Sequence, residues 1–192
     1  SIISNFVGKT IESSATGLQA DVIWYCASTA TDPAVLFVRY KTSGNDNVSK
    51  VFPVNDVISD LDGVYTVQVA ATDATGKGSL ASVNAGVYYI KGYFVYVPSS
   101  TIILDKFSNS PSYRVGLLVT ESETTANEDE SLFDNAQNSF NYAAPGAHRY
   151  TISTEFVALP LTSTSDENFI ELKRTDGGNI LKTKNETEYS VL

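Results

Sequence analysis

The chain has 192 residues and a formal net charge of −9; 42% of its residues are hydrophobic and 18% are charged. An acidic surface repels phosphate groups, so this charge argues against nucleic acids and anionic membranes as partners. Cys26 is the only cysteine, which excludes an internal disulfide and a cysteine-based zinc site. No run approaches ~18 consecutive apolar residues, so the sequence predicts no membrane-spanning segment.

The first half of the chain shows a hydrophobic period of two, which is typical of β-strands. β-Branched and aromatic residues predict strands at 17–27 and 34–40, with Thr31-Asp32-Pro33 as the turn between them. Clean alternation predicts a further strand at 63–69. The pattern of 54–61 fits a helical turn and a short strand equally well.

The second half carries stronger strand signals. Its β-forming runs are 80–84, 86–98, 101–104, 113–120 and 150–159. Gly92 interrupts the longest run, which predicts a bulge, a bend or a close backbone approach. Polar and acidic residues at 121–134 predict a solvated loop. Thr175-Asp176-Gly177-Gly178 predicts a hairpin turn between strands at 168–174 and 179–184.

These strands, spaced by turn residues, predict an all-β fold of two small sandwich-like or barrel-like lobes with long irregular loops. The composition changes near 73–78, so we place the N-terminal lobe at 1–76 and the C-terminal lobe at 77–192. The chain starts with serine and contains no methionine, and we expect it to be a segment of a longer protein.

Few residues suit catalysis. His148 is the only histidine, and no Gly-x-Ser-x-Gly motif accompanies it, so we interpret it as a solvated or capping residue. Cys26 lies in an apolar run and is interpreted as a small buried hydrophobe. Gly76-Lys77-Gly78-Ser79 lacks the rest of a phosphate-binding loop and predicts a turn. We therefore predict a protein that is not an enzyme and has no catalytic, cofactor or metal site.

The acidic stretch leaves two alternatives to a solvated loop open. Paired carboxylates perform glycoside hydrolysis, and clustered oxygen ligands bind calcium. The acidic side chains are Glu121, Glu123, Glu128, Asp129, Glu130 and Asp134. Low carboxyl pKa values are expected in a polar loop and suit neither a general acid nor a nucleophile, and the alternating spacing of a calcium loop is missing. The solvated loop is the favoured interpretation.

Aromatic residues are concentrated at 86–98. They are Tyr88, Tyr89, Tyr93, Phe94 and Tyr96. Alternate residues of a strand face opposite ways, so Tyr88 and Ile90 should face away from Tyr89, while Gly92 leaves the phase of the later residues open. Aromatic rings can stack on sugars, but packing in the core and against a neighbouring lobe or subunit is the favoured interpretation.

Two long segments resemble a family of tail proteins from contractile-tailed bacteriophages, best known from phages of marine cyanobacteria. They are GVYYIKGYFVYVPSSTIILDKFSNSPSYRVGLLVTES at 86–122 and SLFDNAQNSFNYAAPGAHRYTISTEF at 131–156. The most specific part is DNAQNSFNYAAPGAHRY, and the likeness extends to 6–11, 32–44 and 166–192. The family leads us to expect glycine where this chain has Asn138 and an acidic residue where it has His148.

The resemblance implies a long virion structural, baseplate or tail-fibre protein that works as a symmetric oligomer in a multi-subunit tail. It brings no catalytic residues. Its motif positions, expected to be structural, are Asn135, Asn141, Tyr142, Pro145, Gly146 and Arg149. Asparagine side chains would mimic backbone turns, Pro145-Gly146 would form a tight corner, and Arg149 would pair with a carboxylate or with backbone carbonyls.

The favoured function is therefore a connector module of the phage tail or baseplate that works through protein–protein contacts. Its expected partners are copies of itself and other tail proteins, with no nucleic acid, no membrane and no cofactor. The alternative is a host-recognition adhesin that binds surface polysaccharide. A glycan hydrolase of the tail is less favoured.

Overall fold

A computed structural model describes residues 2–163 and 167–183 of the chain. The fold is all-β, with 48% of residues in strands and 4% in helices, and it forms several antiparallel sheets. This confirms the predicted fold class. The chain divides into two compact units, one of residues 1–78 and 106–108, the other of residues 79–105 and 109–192.

The first unit contains a five-stranded antiparallel sheet with the strand order β3-β2-β1-β4-β5. Its strands are β1 (Thr10–Ser13), β2 (Gln19–Cys26), β3 (Val35–Tyr40), β4 (Val57–Asp60) and β5 (Thr66–Gln68), preceded by a 3₁₀ helix at Ile2–Phe6. The buried core side chains are Phe6, Ile11, Leu18, Ala20, Val22, Phe52 and Ile58. Alternate residues of β2 enter this core, as the period of two predicts.

The structure of the first unit settles one ambiguous prediction and differs from the sequence predictions at two other places. The ambiguous segment 54–61 contains strand β4 and no helical turn. The strand predicted at 63–69 is shorter, because Gly63 adopts a positive φ of 68° and the Tyr65 amide donates to the Asp60 carboxylate at 2.8 Å. Strand β1 was not predicted, since it has four residues and only one large apolar side chain, Ile11.

The second unit contains a four-stranded antiparallel sheet, β11-β10-β12-β13, and two two-stranded sheets, β6-β9 and β7-β8. Its strands are β6 (Ser79–Val83), β7 (Gly86–Ile90), β8 (Tyr93–Val97), β9 (Ser100–Asp105), β10 (Tyr113–Thr124), β11 (Arg149–Pro160), β12 (Phe169–Asp176) and β13 (Asn179–Thr183). A 3₁₀ helix spans Glu130–Leu132. The buried core side chains are Val83, Ile90, Val97, Val115, Leu117, Val119 and Phe156.

Two predictions for the second unit are wrong in detail. The acidic stretch does not begin as a loop, because β10 continues to Thr124 and pairs there with Arg149 of β11. Ladder hydrogen bonds join backbone groups, so polar side chains at the end of β10 do not prevent pairing. The predicted hairpin of β12 and β13 is confirmed, but its turn is shorter and consists of Gly177-Gly178, because Thr175 and Asp176 belong to β12. Lys184, the predicted end of the last strand, lies outside the described residues.

Within the described ranges, no helix is long and apolar enough to cross a membrane.

Candidate functional site

The hairpin formed by β7 and β8 has two chemically different faces. Its register places Val87 opposite Tyr96 and Tyr89 opposite Phe94. Side chains opposite each other on paired strands lie on the same face of the sheet. These four side chains therefore share one face, which we call the aromatic face.

The other face of the hairpin points into the core of the second unit. Ile90 and Val97 are each 2% exposed and belong to that core, and Tyr88 and Val95 pack against it. Tyr88 and Ile90 thus face away from Tyr89, as the alternation of a strand requires. The burial of one face fixes the register, because a shift by one residue would turn the core side chains toward solvent.

The aromatic face is open to solvent. The exposed fraction is 65% for Val87, 70% for Tyr89, 81% for Phe94 and 66% for Tyr96. The ring centroids of Tyr89 and Phe94 are 5.4 Å apart, and the ring planes are inclined by 59°. Three large rings and a valine thus form a continuous, uncharged surface that no other part of the described chain covers.

A tight turn connects the two strands. Lys91 and Gly92 both have positive φ values, 49° and 93°, as in the type I′ turns that match the twist of a hairpin. Gly92 is therefore a turn residue within a reversal of the chain, which settles the phase of the residues that follow it. Tyr93 lies on the face of Ile90, and Phe94 lies on the aromatic face.

The turn is held by side chains from other parts of the second unit. The Lys91 ammonium group donates to the carboxylate of Glu121 and, at 2.6 Å, to Oδ1 of Asn168. The Tyr150 hydroxyl also donates to Glu121, and the Tyr150 and Tyr93 ring centroids are 5.4 Å apart. These contacts fix the hairpin to β10 and β11 at the end where the aromatic face begins.

The same contacts set the ionisation of the two acidic groups. Hydrogen bonds from Lys91 and Tyr150 lower the pKa of Glu121 below its ordinary value. The bond to the Glu121 carboxylate raises the pKa of Tyr150 to about 12. At neutral pH, Glu121 is therefore ionised and Tyr150 keeps its proton, so the pair serves as an anchor and provides neither a general acid nor a general base.

Residues 133–146, which we call the motif loop, form a closed excursion from the sheet. Phe133 and Pro145 form an isolated antiparallel bridge at its base. The Asp134 amide donates to the Ala144 carbonyl at 2.9 Å, and the Ala143 amide donates to the Asp134 carbonyl at 2.8 Å. Phe140 is fully exposed at the far side of the loop, and Tyr142 is 56% exposed.

The predicted structural residues of the motif loop lie at its turns. The backbone carbonyls of Asn135 and Asn141 accept turn hydrogen bonds of 2.8 and 2.9 Å. The side chain that mimics a backbone turn is that of Asp134, which accepts from the Ala136 amide at 2.8 Å. Mimicry by the asparagine side chains was expected, but a carboxylate serves the same purpose because its oxygen accepts equally well from a nearby amide.

Gly146 marks the corner at which the motif loop returns toward β11. Its amide donates to the Leu132 carbonyl at 2.9 Å, and a Cβ atom on Gly146 would lie 2.3 Å from that oxygen. Only glycine permits so close an approach of the two backbones. Asn138 has a positive φ of 66°, a conformation that glycine and asparagine tolerate best. This explains why Asn138 can stand where the resemblance leads us to expect glycine.

Arg149 leads from the loop into β11. Its Nη1 donates to the Asp129 carboxylate at 2.8 Å, and its Nη2 donates to the Ser131 hydroxyl at 3.3 Å. A carboxylate is one of the two kinds of partner expected for Arg149 from the sequence. The hydrogen bonds of Ser131 and the charge of Arg149 lower the pKa of Asp129.

His148 lies next to a carboxylate but in an open setting. Its Nδ1 is 2.7 Å from Oε1 of Glu123, and 47% and 64% of the two side chains are exposed. Donors from Thr125 lower the pKa of the neighbouring Glu128. In the described part of the chain, no group of three or more histidine, cysteine or acidic side chains is placed to hold a metal ion.

The sequence did not single out Val87, Lys91 and Tyr150 as parts of the site. Strand pairing places Val87 on the aromatic face, and the anchor joins residues that are far apart in the chain, such as Lys91 and Glu121. Phe140 lies within the motif but is not one of its predicted structural residues. Its position in an otherwise polar stretch was an available signal, since a large apolar residue among asparagines has no local core to enter.

Comparison with known protein families assigns the chain to one family. The fold and the site define an all-β protein with an exposed, uncharged aromatic surface. Residues 58–192 match the domain of unknown function DUF4815, and the chain belongs to that family. No curated protein and no solved structure matches the chain.

Proposed function

We propose that this chain is a structural module of a phage virion, a connector in the contractile tail or baseplate that works through protein–protein contacts. The resemblance of residues 86–122 and 131–156 to phage tail proteins supports the virion location. The exposed aromatic face of the hairpin supports action through protein–protein contacts and is the main observation behind the proposal.

The size and chemistry of the aromatic face suit a protein partner. An aromatic side chain buries about 150–250 Å² when it is covered, so three rings and a valine offer on the order of 500 Å². That is more than half of the ~800 Å² that each partner contributes to a standard interface. Large uncharged patches of this kind are typical of interaction sites.

The geometry of the rings favours a protein over a sugar. A polysaccharide stacks on a flat aromatic surface, whereas the Tyr89 and Phe94 planes are inclined by 59°. Inclined rings leave wedge-shaped gaps that aliphatic and aromatic side chains fill by interdigitation. This supports the connector over the adhesin that binds polysaccharide.

The proposal assigns no catalytic role to the chain. Glycoside hydrolysis requires a carboxyl group with a raised pKa to act as the acid. Hydrogen bonds instead lower the pKa values of Glu121, Glu128 and Asp129. These carboxyl groups therefore remain ionised at neutral pH and act as acceptors for Lys91, Thr125 and Arg149.

The experiment uses virions in which a photo-reactive amino acid replaces Phe94. We expect irradiation to link this position to a virion protein within intact particles. The matched control carries the same amino acid at Leu181, which is 60% exposed on β13 and outside the aromatic face. Absence of the chain from purified virions would overturn the location, and equal linkage at both positions would overturn the role of the aromatic face. Binding of the purified chain to host polysaccharide, abolished by Phe94→Ser, would support the adhesin instead.

A further inference from the structure

Strand β11 offers a second surface, separate from the aromatic face. It pairs with β10 along its whole length, from Arg149 opposite Thr124 to Pro160 opposite Tyr113. Within the described ranges, no strand pairs with the other edge of β11. Alternate residues of an edge strand direct their backbone N–H and C=O groups outward, so this edge carries a row of groups that another strand can pair with.

Edges of this length are usually blocked, but β11 lacks most of the sequence features that block an edge. Proteins protect edge strands with lysine, proline, bulges or short length. The twelve residues of β11 contain no lysine, their proline is the last residue, and the register with β10 is unbroken. Only Arg149 and Glu155 carry charge.

We propose that β11 pairs antiparallel with β11 of a second copy of this chain, with Ile152 at the twofold axis. This register places Arg149 of each copy opposite Glu155 of the other and Thr151 opposite Ser153. Opposite charges and hydroxyl pairs are favourable cross-strand neighbours. The symmetry gives each favourable pair twice, as an isologous interface requires.

The charges of Arg149 and Glu155 favour this register and favour a second copy of β11 as the partner strand. A shift that moves the axis to Thr151 or Ser153 removes the pairing of Arg149 with Glu155. A parallel arrangement in register would place each charge beside its own kind. Arg149 uses Nη1 and Nη2 for Asp129 and Ser131, and the guanidinium group has further N–H donors for a partner carboxylate.

Strands β8 and β9 approach β11 without pairing with it. A cleft of about 310 Å³ lies beside Thr154, Glu155 and Phe156, with residues 97–102 on its other side. In the proposed register, this is where the first residues of the partner strand arrive. The exposed Glu155 side chain is free to meet the partner's guanidinium group there. The inference does not depend on the proposed virion function.

The experiment measures self-association of the purified chain in a Cys26→Ser background by analytical ultracentrifugation. We expect a dimer that Glu155→Arg weakens about tenfold or more, because two attractive pairs become repulsive. Glu130→Arg, an exposed charge reversal away from β11, and Phe94→Ser should leave the dimer intact. Circular dichroism of each variant checks that it folds.

A second measurement reports the register directly. We expect Thr151→Cys mixed with Ser153→Cys to form a disulfide between copies, because opposite strand residues have the Cα separation that a disulfide needs. Neither variant alone should cross-link as efficiently. A chain that stays monomeric, a dimer unaffected by Glu155→Arg, or cross-linking without preference for the mixed pair would overturn the proposal. Loss of the dimer in Phe94→Ser alone would assign self-association to the aromatic face instead.

Discussion

Arg149 and Asp129 form an ion pair, with 2.8 Å between Nη1 and Oδ2, although they are twenty positions apart. Asp129 also caps the 3₁₀ helix at Glu130–Leu132 through the Ser131 amide. The pair therefore joins the segment before the motif loop to the strand that follows it. Together with the bridge between Phe133 and Pro145, it closes the base of the loop.

Replacing Arg149 with alanine should loosen the motif loop without unfolding the sheet. Exposed ion pairs contribute little to global stability, so we expect the melting temperature to change by less than about 4 °C. Amide exchange at Asp134, Ala143 and Gly146 should accelerate, because these amides form the bonds that close the loop. Hydrogen exchange measures this, and Arg39→Ala in the first unit is the control. Unchanged exchange at the three amides would contradict the role of the pair.

The close approach of β10 and β12 at Gly116 leads to a second prediction. A Cβ atom on Gly116 would lie 2.1 Å from the Ile170 carbonyl oxygen and 2.8 Å from the Phe169 ring. Gly116→Ala should therefore destabilise the second unit by about 3 kcal/mol, the upper end for overpacking. Gly86→Ala is the matched control, since its nearest neighbour would be a Tyr88 ring atom at 3.5 Å. Equal midpoints of chemical unfolding for the two variants would show that the sheet relaxes around residue 116.

The fold class followed from the sequence because strand formation is largely local. A period of two, turn residues and β-branched runs predicted most strands of both units. The failures occur where nonlocal pairing decides. Strand β1 forms because β2 and β4 flank it, and β10 continues to Thr124 because β11 is opposite. The local sequence patterns of β1 and β10 do not reveal these partner strands.

The candidate site was predictable to a smaller extent. Alternation placed Tyr88 and Tyr89 on opposite faces, but the phase of Tyr93, Phe94 and Tyr96 depended on whether Gly92 bends or reverses the chain. The contact of Lys91 with Glu121 joins residues thirty positions apart, and only the assembled sheet brings them together. Periodicity gives the direction of a side chain and leaves its nonlocal partners undetermined.

A third prediction concerns acid stability. Glu171 is 8% exposed and accepts from Arg114 Nε at 2.6 Å and from Arg174 Nη2 at 2.8 Å. Hydrogen bonds from Arg174 and Arg114 lower the pKa of Glu171 from 4.5 to about 2. A lowered folded-state pKa stabilises the folded state above the unfolded pKa, and this contribution is lost as pH falls from about 4.5 to about 2.

Glu171→Gln should therefore remove part of the pH dependence of unfolding in that window. At neutral pH the variant should be less stable by about 3 kcal/mol, because Arg114 loses its nearly buried partner. Chemical unfolding between pH 2 and pH 7 measures both effects. Glu130→Gln, on an exposed helix residue, is the control. A variant whose stability changes with pH as steeply as that of the parent would contradict the assignment.

Substitutions on the two faces of the hairpin should have opposite effects on stability: large on the core face and small on the aromatic face. Ile90 is 2% exposed in the core, so Ile90→Ala should cost about 2–4 kcal/mol. Phe94 is 81% exposed, so Phe94→Ser should change the free energy of unfolding by no more than about 0.5 kcal/mol. Chemical unfolding of the isolated chain measures both variants.

The contrast separates a surface kept for a partner from a surface that stabilises the fold. If Phe94 stabilised the isolated chain through contacts within it, Phe94→Ser would be as costly as Ile90→Ala. A second experiment places the photo-reactive amino acid at position 96 in a chain that also carries Phe94→Ser. If this chain is as stable as the parent but no longer links to virion proteins, the Phe94 ring acts only in the assembly. Such a ring exposes apolar surface in the free chain, so Phe94→Ser should also raise solubility, which precipitation with ammonium sulfate measures.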